Sequence, residues 1–210
     1  MKIVLMSDTH EKRPSVPDGD VLVHAGDLTM SGKLSYLIEE MEWMKSLPHP
    51  HKILIAGNHD WGFQHLMTQG REDLAHELAA PMIYLRDSSV TIDGVKFYGS
   101  PWQPWFYDWA FNLQRGNEIK KKWDLIPENT DVLITHGPPK HVLDWVGKDA
   151  VGCEELAVTV NRIAPRIHVF GHIHCAYGHR EYGKTKYYNA SVVNEMYQLD
   201  SKHQPWEVEL

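Results

Sequence analysis

Seven oxygen and nitrogen donors fall in this 210-residue chain where short apolar runs stop. Asp8 and His10 follow Lys2–Met6, Asp27 follows Val21–Ala25, and Asn58 follows Lys52–Ala56. His136 follows Asp131–Thr135, and His172 and His174 follow Ile167–Phe170. Carboxylate, amide and imidazole suit Mn, Fe, Zn or Ni, and seven such donors without a thiolate exceed what one tetrahedral zinc takes. The set points to two divalent or trivalent metal ions, with manganese the expected choice in vitro. Two ions need a shared ligand, and Asp27 is the candidate because a carboxylate offers two oxygens. In Asp8-Thr9-His10 and His172-Ile173-His174, period-two spacing sends both donors the same way from extended backbone.

Such distant donors meet only if the runs are neighbouring strands. Near-continuous apolar runs of this length read as strands buried on both faces. Ligands of open α/β sheets gather beyond the carboxyl ends of those strands. Leu34, Leu37, Ile38, Met41, Met44 and Leu47 predict a helix with a core face, ended by Pro48. Leu113, Ile119, Trp123 and Ile126 form a weaker stripe, as do Leu156, Val160 and Ile163. Asp93-Gly94 predicts a hairpin within Val90–Phe97. Tyr182-Gly183-Lys184 predicts another turn, with strands following at Lys186–Asn189 and Val192–Leu199. The alternation implies a layered α/β protein with mixed sheets, and the lack of repeats or linkers implies one domain over residues 1–210.

Composition excludes other classes. Hydrophobic residues make 42% and charged residues 23%, which argues against a disordered chain. No apolar run approaches the roughly 18 residues of a membrane span, and the opening stretch to Asp8 is too short for a secretory signal. A cytoplasmic location without membrane association is expected. The net charge of −7, with no basic stripe, argues against a stable nucleic-acid complex. Two cysteines form no CxxC and are read as free thiols. The sequence carries no signal for a particular oligomeric state.

The blocks Asp8-Thr9-His10, Gly26-Asp27, Gly57-Asn58-His59-Asp60, His136 and Gly171-His172-Ile173-His174 stand in the order D-x-H, G-D, G-N-H-[DE], H, G-H-x-H. In this the sequence resembles the calcineurin-like metallophosphoesterases. Gly99–Pro104, Thr135–Pro139, Leu143–Val146 and Asn189-Ala190-Ser191 are similar to the small metallophosphoesterase-domain-containing phosphodiesterases. The resemblance implies a four-layer α/β/β/α sandwich with two mixed β-sheets and a dinuclear site at its edge. It places Asp8, His10 and His174 on one ion, Asn58, His136 and His172 on the other, and Asp27 between them.

The chemistry expected of such a site is attack on phosphorus by a hydroxide bridging the ions. His59, beside Asn58, would protonate or hydrogen-bond the leaving oxygen, work suited to a side chain that titrates near neutrality. Many relatives orient this histidine with an Asp three residues after the bridging carboxylate. That position is Met30 here, so another group must orient His59. Asp60 is expected either to do so or to cap the next helix. Gly26–Gly32 also lacks the Asp-Arg pair with which phosphoprotein phosphatases grip a dianionic monoester. The expected substrate is therefore a small, nucleotide-like phosphodiester, cyclic ones included. Trp102, from an aromatic segment that continues through Trp105, Phe106, Tyr107, Trp109 and Phe111, is a candidate substrate contact, and so is His141.

Two other functions stay open. One is a nucleotide-binding or scaffolding module with weak residual turnover, favoured by the missing Asp. The other is a nuclease on single strands, which the negative charge disfavours. His24 and His168 sit inside apolar runs and are read as core residues with satisfied hydrogen bonds. His49, His51, His65, His76, His179 and His203 are read as surface, and Cys175 as a non-ligand beside His174.

Overall fold

Each of the five apolar runs becomes a strand in the computed structural model, which describes residues 1–210. The first sheet holds β1 (Lys2–Met6), β2 (Val21–His24), β3 (His51–Leu54), β4 (Ile83–Tyr84) and, from the chain's last residues, β15 (Trp206–Glu209). Its order is β15-β1-β2-β3-β4, with only β15 antiparallel. The second contains β5 (Ser88–Ile92), β6 (Val95–Ser100), β9 (Val132–Thr135), β12 (Ile167–Phe170), β13 (Gly178–Tyr182) and β14 (Thr185–Asn189). Its order is β13-β14-β12-β9-β6-β5, parallel at the centre and antiparallel at both edges.

Strand alternation builds the layers. Ile3, Leu5, Val21, Val23, Ile53, Val132, Ile134, Ile167 and Val169 fill the space between the sheets. Val4, Met6, Leu22, Leu54, Leu133 and Phe170 point outward into helices. On the first sheet these are α1 (Leu34–Ser46), α2 (Trp61–Thr68) and α3 (Glu72–Ala79). On the second they are α4 (Asn117–Trp123) and α5 (Glu154–Ile163). The result is the expected α/β/β/α sandwich. Burying both faces of parallel strands in this way puts every carboxyl end of the central strands at one rim.

Two short ribbons flank that rim: β7 (Gln103–Pro104) with β8 (Asn112–Leu113), and β10 (Trp145–Val146) with β11 (Asp149–Ala150). The Asp93-Gly94 turn joins β5 and β6 with both residues left-handed, as a two-residue hairpin of this hand requires.

Several expectations are corrected. The core face of α1 is Leu37, Glu40, Met41 and Met44, while Leu34 and Ile38 are exposed. Val192–Leu199 is not a strand. The side-chain oxygen of Asn194 accepts the N–H groups of Met196 and Gln198, and these local bonds turn the chain after Val193. His49 is buried, its Nε2 2.9 Å from the Pro17 carbonyl. No helix is long and apolar enough to cross a membrane.

Candidate metal centre

The loops after β1 and β2 are zipped together by their main chains. Asp8 N–H donates to Gly26 O at 2.9 Å, His10 N–H to Asp27 O at 3.1 Å, and Glu11 N–H to Leu28 O at 3.0 Å. Asp8, His10 and Asp27 take left-handed φ of 55°, 44° and 57°, and His172 one of 68°. Such conformations cost roughly 1–3 kcal/mol each and persist only where neighbours over-determine them. The second sheet joins the first through Asp8, whose carboxylate accepts His172 N–H at 3.0 Å and the Ser191 hydroxyl at 2.8 Å. Close approach explains two motif glycines. A Cβ on Gly171 would strike the Asp8 carboxylate and Ser7, and one on Gly57 would strike Asp27.

Asp60 neither orients His59 nor caps α2 with its side chain. Its carboxylate accepts the N–H groups of Leu28, Thr29 and Gly57 and the Thr29 hydroxyl. It pins the Asp27 loop to the Asn58 loop, and burial with Asp27 nearby pushes it up to about 6.

The seven donors come together as two half-sites. In one, His174 Nε2 lies 3.3 Å from Asp8 Oδ1 and 3.4 Å from His10 Nε2. In the other, Asn58 Oδ1 lies 2.9 Å from His136 Nε2 and 2.8 Å from His172 Nδ1. Asp27 stands between them: its Oδ2 is 3.7 Å from His10 Nε2 and 3.3 Å from His136 Nε2. Oδ1 is occupied, accepting His59 N–H at 2.8 Å. The atom facing both half-sites is therefore a single oxygen, where the sequence suggested two. Backbone carbonyls orient the outer imidazoles: Ala25 O lies 3.0 Å from His136 Nδ1, and Asn194 O lies 3.1 Å from His174 Nδ1.

The electrostatics fit cations. Asp8 and Asp27 are buried, and their ion-pair partners are histidines alone, with no lysine or arginine in reach. Burial alone would raise both carboxyls, but His174 beside Asp8 and His136 beside Asp27 hold them well below the usual carboxylate range. Burial works against charge on His136 too, yet Asp27 raises it to about 9. His10 and His172 are pushed down to about 4 and about 3 by burial, so both offer lone pairs at neutral pH. Two buried carboxylates, an amide oxygen and four imidazoles, short of fixed positive charge, are a donor set that divalent ions complete.

His59 lies beside the cluster. It offers a ring nitrogen within 4.8 Å of ligand atoms on His10 and Asp27. The group orienting it is the Met30 carbonyl, 2.7 Å from Nδ1. Trp109 packs on its face at 4.3 Å between ring centroids. Tyr197, which the sequence reading passed over, meets His10 and His174 edge-on at 4.8 and 5.2 Å.

These groups open into a cavity of about 620 Å³. Trp105, Phe106, Val146, Val151, Arg115 and Lys140 line it. Trp102 is corrected as a substrate contact: it is buried, its indole N–H donates to Asp87, and the Lys122 ammonium sits over its ring. His141 is exposed and lies outside the cavity lining.

A set of such donors at the rim of an α/β/β/α sandwich defines the class, a metal-dependent phosphoester hydrolase. The calcineurin-like phosphoesterase family matches residues 1–176. Metallophosphoesterase domain-containing protein 1 of Homo sapiens is 47% identical over 94% of this chain and 68% of its own length, and its Mus musculus counterpart matches equally. The crystal structure of TT1561 of Thermus thermophilus shares the fold, with a TM-score of 0.60 at 14% identity over 90% of this chain and 88% of that one. The chain belongs to the calcineurin-like phosphoesterase family, whose members use divalent metal ions.

Proposed function

We propose that this protein is a phosphodiesterase acting on small, nucleotide-like diesters at a centre of two divalent ions. The observation that carries the reading is Asp27 Oδ2, which faces His10 on one side and His136 on the other. Asp8, His10, His174 and Asp27 would hold the first ion; Asp27, Asn58, His136 and His172 would hold the second. When bound, such a pair clamps a phosphoryl group, activates water and offsets the charge of in-line displacement.

The chain's own residues do the rest. The Met30 carbonyl accepts a hydrogen bond from His59 Nδ1–H, which directs Nε2 to the site, where the doubly protonated ring would give a proton to the departing oxygen or hydrogen-bond it. Trp109 holds the ring in place. The preference for a diester follows from the cavity's charges. Arg115 is committed to Glu154 and to the carbonyls of Val151 and Gly152, and Lys140 pairs with Glu154 at 3.1 Å. No free cation remains there for the extra charge of a monoester. Trp105 and Phe106 offer flat apolar faces to a base or aryl group.

The missing carboxylate near residue 30 favoured a non-turning-over module, but the Met30 carbonyl supplies the acceptor that histidine needs. The test is hydrolysis of a bis-aryl phosphate with Mn²⁺, expected to exceed that of the mono-aryl ester and to vanish in Asp27→Ala. Equal rates without metal, or a preference for the monoester, would overturn the reading. A gel assay on single-stranded DNA and RNA separates it from a nuclease.

A further inference from the structure

His24 and His168 are fully buried on the helix-facing sides of their strands, where an apolar side chain would pack as well. Each ring reaches a threonine hydroxyl, Thr9 in the loop after β1 and Thr135 at the end of β9. His24 Nε2 lies 3.0 Å from Thr9 Oγ1, and His168 Nε2 lies 2.8 Å from Thr135 Oγ1. Thr9 stands between Asp8 and His10, and Thr135 immediately precedes His136.

The proton directions follow from the other partners. Gly26 N–H donates to His24 Nδ1 at 3.3 Å, so the ring proton is on Nε2 and is donated to Thr9. The Thr9 hydroxyl passes its own proton to the Leu28 carbonyl at 3.4 Å. In the second sheet, the Thr135 hydroxyl gives its proton to the Gly137 carbonyl at 2.8 Å and so accepts from His168 Nε2. His168 Nδ1 has no partner, a cost that core packing alone would not retain.

The two relays have the same form: strand histidine, threonine next to a candidate ligand, carbonyl of a ligand-bearing loop. The His24 relay ties the loop of Asp8 and His10 to the loop of Asp27. The His168 relay fixes the turn that presents His136.

We propose that His24–Thr9 and His168–Thr135 are positioning pairs, each setting the ligand geometry of a different ion. The proposal rests on the two-ion reading of the cluster. Residues that orient metal ligands typically carry about 10–100-fold in affinity. The relays predict that the larger effect falls on a different ion in each case.

The test is anomalous diffraction from crystals equilibrated with limiting Mn²⁺. Thr9→Val is expected to deplete the position between Asp8, His10 and His174 about tenfold, and the other position less. Thr135→Val is expected to deplete the position between Asn58, His136 and His172. Thr→Ser at each site is expected to restore occupancy. Depletion of both positions alike, or of neither, overturns the proposal. If the unmodified protein takes up no ion, the two-ion reading itself fails and the assignment falls with it. A second measurement needs no variant: nitrogen-15 NMR of the unmodified protein is expected to show slowly exchanging Nε2 protons on His24 and His168. Their absence would remove the relays whatever the metal content.

Discussion

Raising the pH from 7 to 8 is expected to tighten the ion at the His136 half-site about tenfold. The reason is competition between a proton and a cation for one ring nitrogen. His136 Nδ1 is engaged with Ala25 O, so the atom available to an ion is Nε2, 3.3 Å from Asp27 Oδ2. Burial disfavours charge there, but Asp27 outweighs it and brings His136 to about 9. In the metal-free protein that proton is therefore retained at neutral pH and must leave before an ion enters. Each pH unit well below about 9 costs about tenfold in affinity, so binding at pH 7 is weaker than at the plateau above pH 9 by about 100-fold. His10 and His172, already neutral, add nothing to this slope. Calorimetric titration of Mn²⁺ into metal-free protein, in buffers of different ionisation enthalpy, counts the protons released. About one proton per ion at the His136 half-site at pH 7, with affinity levelling off near pH 9, is the expected result. Affinity flat from pH 7 to 9, with no proton release, would refute the reasoning.

Other outcomes follow from the same geometry. His59→Gln is expected to lower kcat by about 10²–10⁴ on a diester with an alkyl leaving group while both ions stay bound, as checked by kinetics and metal analysis. Trp105→Ala and Phe106→Ala are expected to raise KM for a nucleotide diester, since base stacking contributes about 1–3 kcal/mol. Trp102→Ala is expected to lower the melting temperature instead, because its indole bonds Asp87 in the interior. Asp60→Ala orphans three backbone N–H groups and is expected to cost at least about 3 kcal/mol in denaturant melts. Acidification gives a further check. Burial holds His24 at about 4 and His168 at about 3, below the 6.5 of an unfolded chain. The unfolded state binds their protons first, so stability present above pH 6.5 is lost on acidification. Between pH 6.5 and 4.5 each contributes a loss of about 2 kcal/mol, and flat stability over that window would contradict it.

The ligand loops were legible because donors, glycines and apolar strands are all side-chain properties. Asp8, His10, Asp27, Asn58, His136, His172 and His174 converge as the strand-end pattern required. What the sequence did not disclose depends on the main chain or on the third dimension. The acceptor that orients His59 is a carbonyl, which has no sequence signature, so Met30 looked like a gap. Trp102 and Trp105 share one aromatic run, yet β7 lies just between them and sends Trp102 inward and Trp105 to the cavity. Tyr197 was hidden in a stretch read as strand; the Asn194 side chain bends it and leaves Tyr197 at φ 57° against His10 and His174. β15 was missed because Trp206–Glu209 is a short edge strand with alternating charge, which gains its partner only when the chain's two ends meet.

Whether Asp27 is shared by two ions is read out by anomalous diffraction from crystals of the unmodified protein saturated with Mn²⁺. Two peaks about 3.5–4 Å apart, with Asp27 Oδ2 between them, are the expected result. A single peak, or two that do not share Asp27, would contradict it.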